Sequence, residues 1–112
     1  MGSQTMKKEP CLLVLSTIDS PVKAEKIASA LVREKLAACV NLSAPIRSVY
    51  EWKGKLHRDK EILMLIKTRK GLYQRLEKRL KTLHPYELPE IVALPFTAGS
   101  AAYFNWVFSN TL

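Results

Sequence analysis

The sequence predicts an α+β fold, a ferredoxin-like split βαβ sandwich with one more helix at its C-terminus. Segments with strand and helix patterns follow one another in the order β-α-β-β-α-β. The two central strands meet at Lys53-Gly54-Lys55, where glycine can adopt the positive φ that a tight hairpin needs. A chain of 112 residues is long enough for one such domain with a core of its own.

In the first half, the apolar run at residues 12–15 predicts a buried strand. Pro21 suits the first position of a helix, because its missing N–H would lack an intrahelical partner in any case, and Ser20 can cap that helix. An apolar stripe predicts that this first helix ends near Leu36. The second strand starts at residue 37, and Pro45 indicates a bend or bulge in an exposed section of it.

In the second half, residues 46–53 alternate between two strand faces, whereas residues 62–66 are apolar on both faces. A leucine stripe predicts a second helix that opens at Lys70-Gly71 and stops at Pro85. Residues 91–94 predict the fourth strand, and the aromatic tail at residues 100–108 predicts a short helix. Two helices cover only one side of a sheet, so strands that are apolar on both sides predict self-association.

The composition is that of an ordinary globular domain, with 47% hydrophobic and 25% charged residues. Residues 1–10 are polar and aperiodic, so we expect a disordered segment there and a single domain at residues 11–112. No apolar run reaches the roughly 20 residues of a membrane span, so no membrane partner is expected. The formal charge of +8 lies largely on solvent faces of the helices, so no nucleic-acid partner is expected either.

Four motifs resemble the CutA divalent-cation tolerance family, and they lie at residues 37–41, 48–55, 66–69 and 84–90. They keep the family's order and spacing, and the resemblance extends over residues 12–108. It implies a fold related to the PII signalling proteins, a homotrimer assembled through long hairpins, and a cytoplasmic location. It also implies a role in tolerance of copper and other divalent metals. No nucleophile-and-base motif or phosphate loop is present, so we expect no enzyme.

The candidate metal ligands are His84, Cys39 and Glu87, with copper or another divalent metal as the candidate ion. Their spacing is not that of a local metal motif, so the fold or a subunit contact would have to assemble the site. Copper-binding members of the family carry cysteine where this chain has Ser16 and a second histidine where it has Leu83. The alternatives are that His84 caps the C-terminus of its helix and that Cys39 is a small buried hydrophobe.

A second candidate site consists of Trp52, Lys67, Tyr86 and Glu90. If they line a cleft between subunits, the opposed charges of Lys67 and Glu90 could bind a small ligand, by analogy with the PII proteins. Otherwise Trp52 and Tyr86 simply pack, and Lys67 and Glu90 form an ordinary ion pair. The sequence therefore leaves two functions open, a metal-binding tolerance protein and a PII-like ligand-binding module.

Overall fold

The computed structural model describes residues 9–112 of the chain. Within these residues the strands are β1 (Cys11–Ile18), β2 (Cys39–Leu42), β3 (Ile46–Trp52), β4 (Lys55–Arg69) and β5 (Val92–Pro95). The helices are α1 (Pro21–Arg33), α2 (Tyr73–Leu83) and α3 (Ala101–Ser109). The predicted ferredoxin-like order of elements is confirmed, and the second predicted strand is divided into β2 and β3.

Most of the predicted disordered segment, residues 1–10, lies outside the described residues. Its last two residues are bound to the domain: the carboxylate of Glu9 accepts hydrogen bonds from Arg69 and from the amide of Gly71. The carbonyl of Pro10 accepts a hydrogen bond of 3.0 Å from the amide of Lys70. The domain boundary at residue 11 stays a prediction.

Strand β4 is the organising strand of the sheet, because it is 15 residues long and pairs on both sides. Its second half pairs antiparallel with β1 on one side, from Ile62 to Arg69, and with β2 on the other. Its first half pairs with β3 and leaves the main sheet as a long hairpin. Strand β5 lies on the far side of β1, which gives the order β2-β4-β1-β5. The hairpin contributes to an elongated molecule of 56 × 25 × 24 Å.

A bulge separates β2 from β3 on the same edge of β4, as Pro45 predicted. The amide of Ser43 donates to the carbonyl oxygen of Leu63 at 3.0 Å. The Oγ atom of Ser43 accepts from the amide of Leu63 at 2.9 Å and donates to the carbonyl oxygen of Ala44 at 2.7 Å. The side chain thus replaces a backbone acceptor at the point where the edge strand bends.

The hairpin tip is a two-residue turn, in which Trp52 pairs with Lys55. Lys53 has φ 53° and Gly54 has φ 77°, and positive φ at both central residues is the geometry of a type I′ turn. A Cβ atom on Gly54 would meet nothing within 4 Å, so glycine is favoured there for its backbone freedom and not for space.

Helix α1 begins as predicted, with the Oγ atom of Ser20 accepting from the amide of Lys23 at 3.2 Å. It ends at Arg33, three residues before the predicted end. Lys35 adopts φ 62°. The amide of Lys35 donates to the carbonyl oxygen of Val32, and the amide of Leu36 donates to the carbonyl oxygen of Leu31. These two bonds form a Schellman motif. Leu36 is still buried, so the apolar stripe in the sequence continues beyond the helix itself.

The main core lies between the sheet and the pair α1 and α2. Alternate residues of β1 and β4 face these helices and are fully buried, among them Val14, Met64 and Ile66. The helices contribute Leu31, Leu76 and Leu80 to the same cluster. Burial of this kind contributes about 1.5–3 kcal/mol per large side chain, so this layer supplies most of the stability of the chain.

The opposite face of the sheet is only partly covered. Helix α3 packs Val107 against Cys11 and Ala38 at one end. The remainder, which we call the open face, consists of Leu13, Leu15, Leu63, Leu65, Val92 and Leu94, whose positions share one side by register. Leu94 is 50% exposed and Val92 is 47% exposed. The short terminal helix therefore covers only part of this face and leaves apolar surface of the kind from which self-association was predicted.

Candidate functional site

A cleft of about 820 Å³ lies where the β3–β4 hairpin leaves the main sheet. One wall is the hairpin and the other is the segment at residues 86–90, which follows α2. Five carboxylates line this acidic cleft, as we call it: Asp19, Asp59, Glu61, Glu87 and Glu90. Three aromatic side chains line it as well: Tyr50, Trp52 and Tyr86. Its volume falls in the range of small-molecule sites.

Tyr86 and Glu61 join the two walls of the acidic cleft. The Oη atom of Tyr86 donates to the Oε2 atom of Glu61 at 2.6 Å. Glu61 is only 6% exposed, so its carboxylate is held in a largely desolvated place at the base of the hairpin. Burial, followed by the hydrogen bond to the Glu61 carboxylate, raises the pKa of Tyr86 far above the usual tyrosine range. Tyr86 is therefore a neutral hydrogen-bond donor throughout the physiological range.

Tyr50 and Asp59 form a second bonded pair across the hairpin, with the phenol as donor and the carboxylate as acceptor. That hydrogen bond is the main cause that raises the pKa of Tyr50 to about 12. The ring of Tyr50 also stacks on His57, with 5.2 Å between centroids and 9° between planes. These two contacts hold the ring of Tyr50 in one orientation on the hairpin wall of the cleft.

Both ring nitrogens of His84 have partners within the chain. Its Nε2 atom lies 2.8 Å from the carbonyl oxygen of Thr17, and its Nδ1 atom accepts from the amide of Tyr86 at 3.2 Å. A nitrogen that accepts is unprotonated, so the other nitrogen carries the proton and donates to Thr17. His84 is 6% exposed and its ring meets the edge of Tyr86, 4.6 Å between centroids. The hydrogen bond from His84 to Thr17 connects the C-terminal end of α2 to β1.

The three predicted metal ligands do not come together within one chain. Cys39 pairs with Lys67, whereas the Thr17 bonded to His84 pairs with Leu63, four residues and about 13 Å away along β4. Glu87 is exposed at the rim of the acidic cleft. Across residues 9–112, no three His, Cys, Asp or Glu side chains form a group that could hold a metal ion. The donor set of one chain thus does not fit a chelated ion.

Cys39 is half-buried, so it is not the fully buried small hydrophobe that was the alternative to a metal ligand, whereas Cys11 is buried. Cys11 belongs to the small buried cluster that contains Val107 of α3 and Ala38, and Cys39 is not part of that cluster.

Three of the four predicted ligand-cleft residues do meet, since Trp52, Tyr86 and Glu90 all line the acidic cleft. Lys67 is not among the lining residues. It lies near the far end of β4, opposite Leu13, where its ammonium group bonds to the side-chain oxygen of Asn41. Within one chain it forms no pair with Glu90, so the predicted arrangement of opposed charges is not formed there.

Known proteins match this chain over nearly the whole described domain. The model of the CutA1 divalent ion tolerance protein family matches residues 12–110. The chain belongs to this family. The divalent-cation tolerance protein CutA of Thermus thermophilus is 46% identical over 88% of this chain and 96% of its own length. The chloroplastic protein CutA of Arabidopsis thaliana is 42% identical, and this chain spans 59% of its length.

Solved structures of CutA1 proteins share the fold. That from Oryza sativa has a TM-score of 0.90 at 38% identity and covers 94% of this chain and 96% of its own. The structure from Thermus thermophilus has a TM-score of 0.87 at 46% identity, and the match covers 90% of this chain and 98% of the Thermus chain. The family resemblance and the fold inferred from sequence are thus confirmed. The described residues include no helix that is both long and apolar enough to cross a bilayer.

Sequence reasoning missed Asp59, and it treated Glu61 as a possible oxygen donor to a metal without placing it beside Asp59 in one acidic cleft. The signal was available, because these residues are two apart on a strand and therefore share one face. Their partners across the hairpin, Ser48 and Ile46, lie on the same side by register.

Proposed function

We propose that this chain is a cytoplasmic, homotrimeric divalent-cation tolerance protein that catalyses no reaction and acts by binding a small ligand in the acidic cleft. Membership of the CutA1 family, and relatives named as tolerance proteins and not as enzymes, support the first part. The cleft supports the second, and the observation that carries it is the meeting of Trp52, Tyr86 and Glu90 in one cavity.

The open face supports assembly. Its leucines are half-buried or exposed in the single chain, although they stand in the middle of a sheet. A second copy that covers them would contribute about 25 cal/mol for each Å² of apolar surface removed from water. Glu61 and Leu63 are two residues apart on β4, so the acidic cleft opens on the same side as the open face. Assembly would then place the cleft beside a subunit contact, as in a PII-like module.

Light scattering on purified protein tests the assembly. The wild type is expected to show three times the 12.7 kDa of one chain. Leu94→Asp places a charge on the open face and should give monomers. Val22→Asp is the matched control, because Val22 is 66% exposed but lies on α1, and it should leave the mass unchanged. A monomeric wild type would overturn the proposed assembly.

Growth of the host in increasing copper chloride tests the tolerance function. Deletion of the gene should lower the tolerated concentration, and the wild-type chain should restore it. Asp59→Asn, which removes one charge from the acidic cleft, should restore it poorly if the cleft carries the function. Growth that is indifferent to the deletion would reject a role in tolerance. Fractionation of the same cells checks the cytoplasmic location.

Direct copper binding at His84 is the second candidate function, with Cys39 and Glu87 as further ligands. A neutral imidazole is the form that binds metals, and the nitrogen of His84 with a free electron pair to offer is Nδ1, which accepts from the amide of Tyr86. Copper would have to displace either the amide of Tyr86 or the carbonyl of Thr17 from the ring.

Calorimetric titration with Cu(I) and Cu(II) tests this second candidate. A site at His84 predicts saturable binding that is lost in His84→Gln and weakened in Cys39→Ser and Glu87→Gln. Glu25→Gln, an exposed change on α1, is the matched control for charge. Equal binding by the wild type and His84→Gln would remove His84 from any copper site.

A further inference from the structure

We infer that the acidic cleft binds an organic ammonium ion, with a diamine whose two charges are several ångströms apart as the best-fitting class. This inference rests on the proposal that the cleft is the ligand site and specifies the chemistry of its ligand. Four features of the cleft carry it: its charge balance, its aromatic wall, the separation of its carboxylates, and an ammonium group of the chain itself that already lies there.

The charge of the cleft is opposite to that of the protein. The chain has a formal net charge of +8, with 18 lysines and arginines against 10 carboxylates. Five of those ten carboxylates line this one cavity, and no lysine or arginine is among its lining residues. Low-dielectric walls concentrate the field of such a group, so the cavity attracts cations although the whole molecule repels them.

The ammonium group of Lys53 shows how a cation fits the rim. Its Nζ atom lies 5.6 Å from the centroid of the Trp52 ring and 3.6 Å from the Oε1 atom of Glu87. An aromatic face on one side and a carboxylate on the other both attract an alkylammonium ion. Lys53 reaches this position from the turn, and its side chain is 69% exposed. The ammonium group of a ligand can therefore readily replace that of Lys53 beside Glu87.

The arrangement of the carboxylates does not suit a single chelated metal ion. In the part of the chain that the structure describes, no three His, Cys, Asp or Glu side chains form a group that could hold one. The carboxylates come instead from different sites: Asp19 follows β1, Asp59 lies on the hairpin, and Glu90 follows α2. A ligand with one charge at each end of a short alkyl chain could meet two of them at once while its methylene groups pack on Tyr50 and Trp52.

Calorimetry at about 20 mM ionic strength, where screening is weak, tests the inference on the full chain. The probe is diaminobutane, with butylamine and butanediol as comparison ligands. We expect one diaminobutane per chain, bound at least about tenfold more tightly than butylamine because two ion pairs form in place of one. Butanediol, which has the same length without charge, should give no saturable heat.

Variants make the test specific. Glu90→Gln and Asp59→Asn should each weaken diaminobutane binding about tenfold, the size typical for loss of one charge-assisted contact. Glu51→Gln is the matched control, because Glu51 is an exposed carboxylate of the same hairpin that does not line the cleft. Lys53→Asn should tighten binding, since it removes the competing ammonium and asparagine-glycine suits the type I′ turn.

Absence of saturable diaminobutane binding, equal binding of butanediol, or weaker binding by Lys53→Asn would overturn the inference. The two proposals fail separately. If no diamine binds but Asp59→Asn still fails to restore copper tolerance, the ligand class is rejected and the proposed function stands. If diamine binds and Glu90→Gln weakens it, while deletion leaves growth unchanged, the ligand class stands and the tolerance function is rejected.

Discussion

Replacement of Ser16 by alanine is expected to stabilise this protein, although it removes atoms from a packed core. Ser16 is fully buried on β1, opposite Met64 and between Val14 and Ile18 on the helix-facing side. Among the described residues, its hydroxyl is the buried side-chain group that has no hydrogen-bond partner. Folding therefore removes this hydroxyl from water without providing a hydrogen-bond partner in exchange.

The magnitude follows from two opposing effects. An unsatisfied buried hydroxyl costs about 1–3 kcal/mol, and alanine removes that cost. Alanine also forms strands less readily and leaves a small void, which together offset up to about 1 kcal/mol. The net expectation is a gain of about 1 kcal/mol in the free energy of unfolding. For a chain of this length that gain raises Tm by about 4 °C.

Calorimetric or urea unfolding at a fixed protein concentration measures the effect, since assembly would make Tm depend on concentration. Ser16→Cys is a second variant that keeps the shape of the side chain with a slightly larger and less polar atom, and it should stabilise similarly. Thr68→Val is the matched control, because Thr68 is as buried but donates to the carbonyl of Leu36 at 2.7 Å, and it should cost about 1–2 kcal/mol. If Ser16→Ala destabilises as Thr68→Val does, the hydroxyl of Ser16 has a partner and the reasoning fails.

Three further predictions concern a tyrosine, a helix end and the bulge. Tyr86→Phe should cost about 1–3 kcal/mol at pH 8, because Glu61 loses its donor. The native pKa of Tyr86 lies above the unfolded value of 10.0, so the contribution of Tyr86 to stability is present below pH 10 and is lost as pH rises further. Urea unfolding should therefore show the free energies of unfolding of wild type and Tyr86→Phe converging in alkali. A difference that stays constant with pH would contradict this. Lys35→Gly should raise the free energy of unfolding by about 0.5–1 kcal/mol, because glycine adopts φ 62° without strain; an unchanged or lower Tm would contradict this. Ser43→Ala should speed hydrogen exchange at the amide of Leu63 about tenfold, whereas amides of the β1–β4 pairing keep their protection; uniform acceleration would instead indicate global destabilisation.

Local patterns were sufficient for most of the elements. The bend at Pro45, the glycine turn and the cap at Ser20 each depend on residues within a few positions of one another, and each is confirmed. Helix α1 was predicted too long because Leu36 is apolar and buried, and periodicity alone does not reveal the left-handed residue before it.

The candidate sites were harder to predict because they depend on register. Lys67 and Glu90 were grouped by charge, but the pairing of β1 with β4 places Lys67 opposite Leu13, at the other end of the strand from the cleft. His84 was a plausible ligand by residue type, yet only the fold shows that both of its ring nitrogens are engaged. Asp59 was not predicted, and Glu61 was not placed with it, although both carboxylates contribute to the charge of the cavity.

By itself, the sequence determined the class of fold, the long hairpin, the apolar character of both sheet faces and the family. These properties follow from periodicity and local backbone chemistry, which neighbouring residues carry with them into any structure. Only the tertiary structure decided which charges meet. The acidic cleft brings together Asp19, the hairpin and residues 86–90, which are far apart in the sequence. The register of the strands and the hydrogen bond between Tyr86 and Glu61 place them next to one another. Such long-range juxtaposition leaves no periodic trace in the sequence.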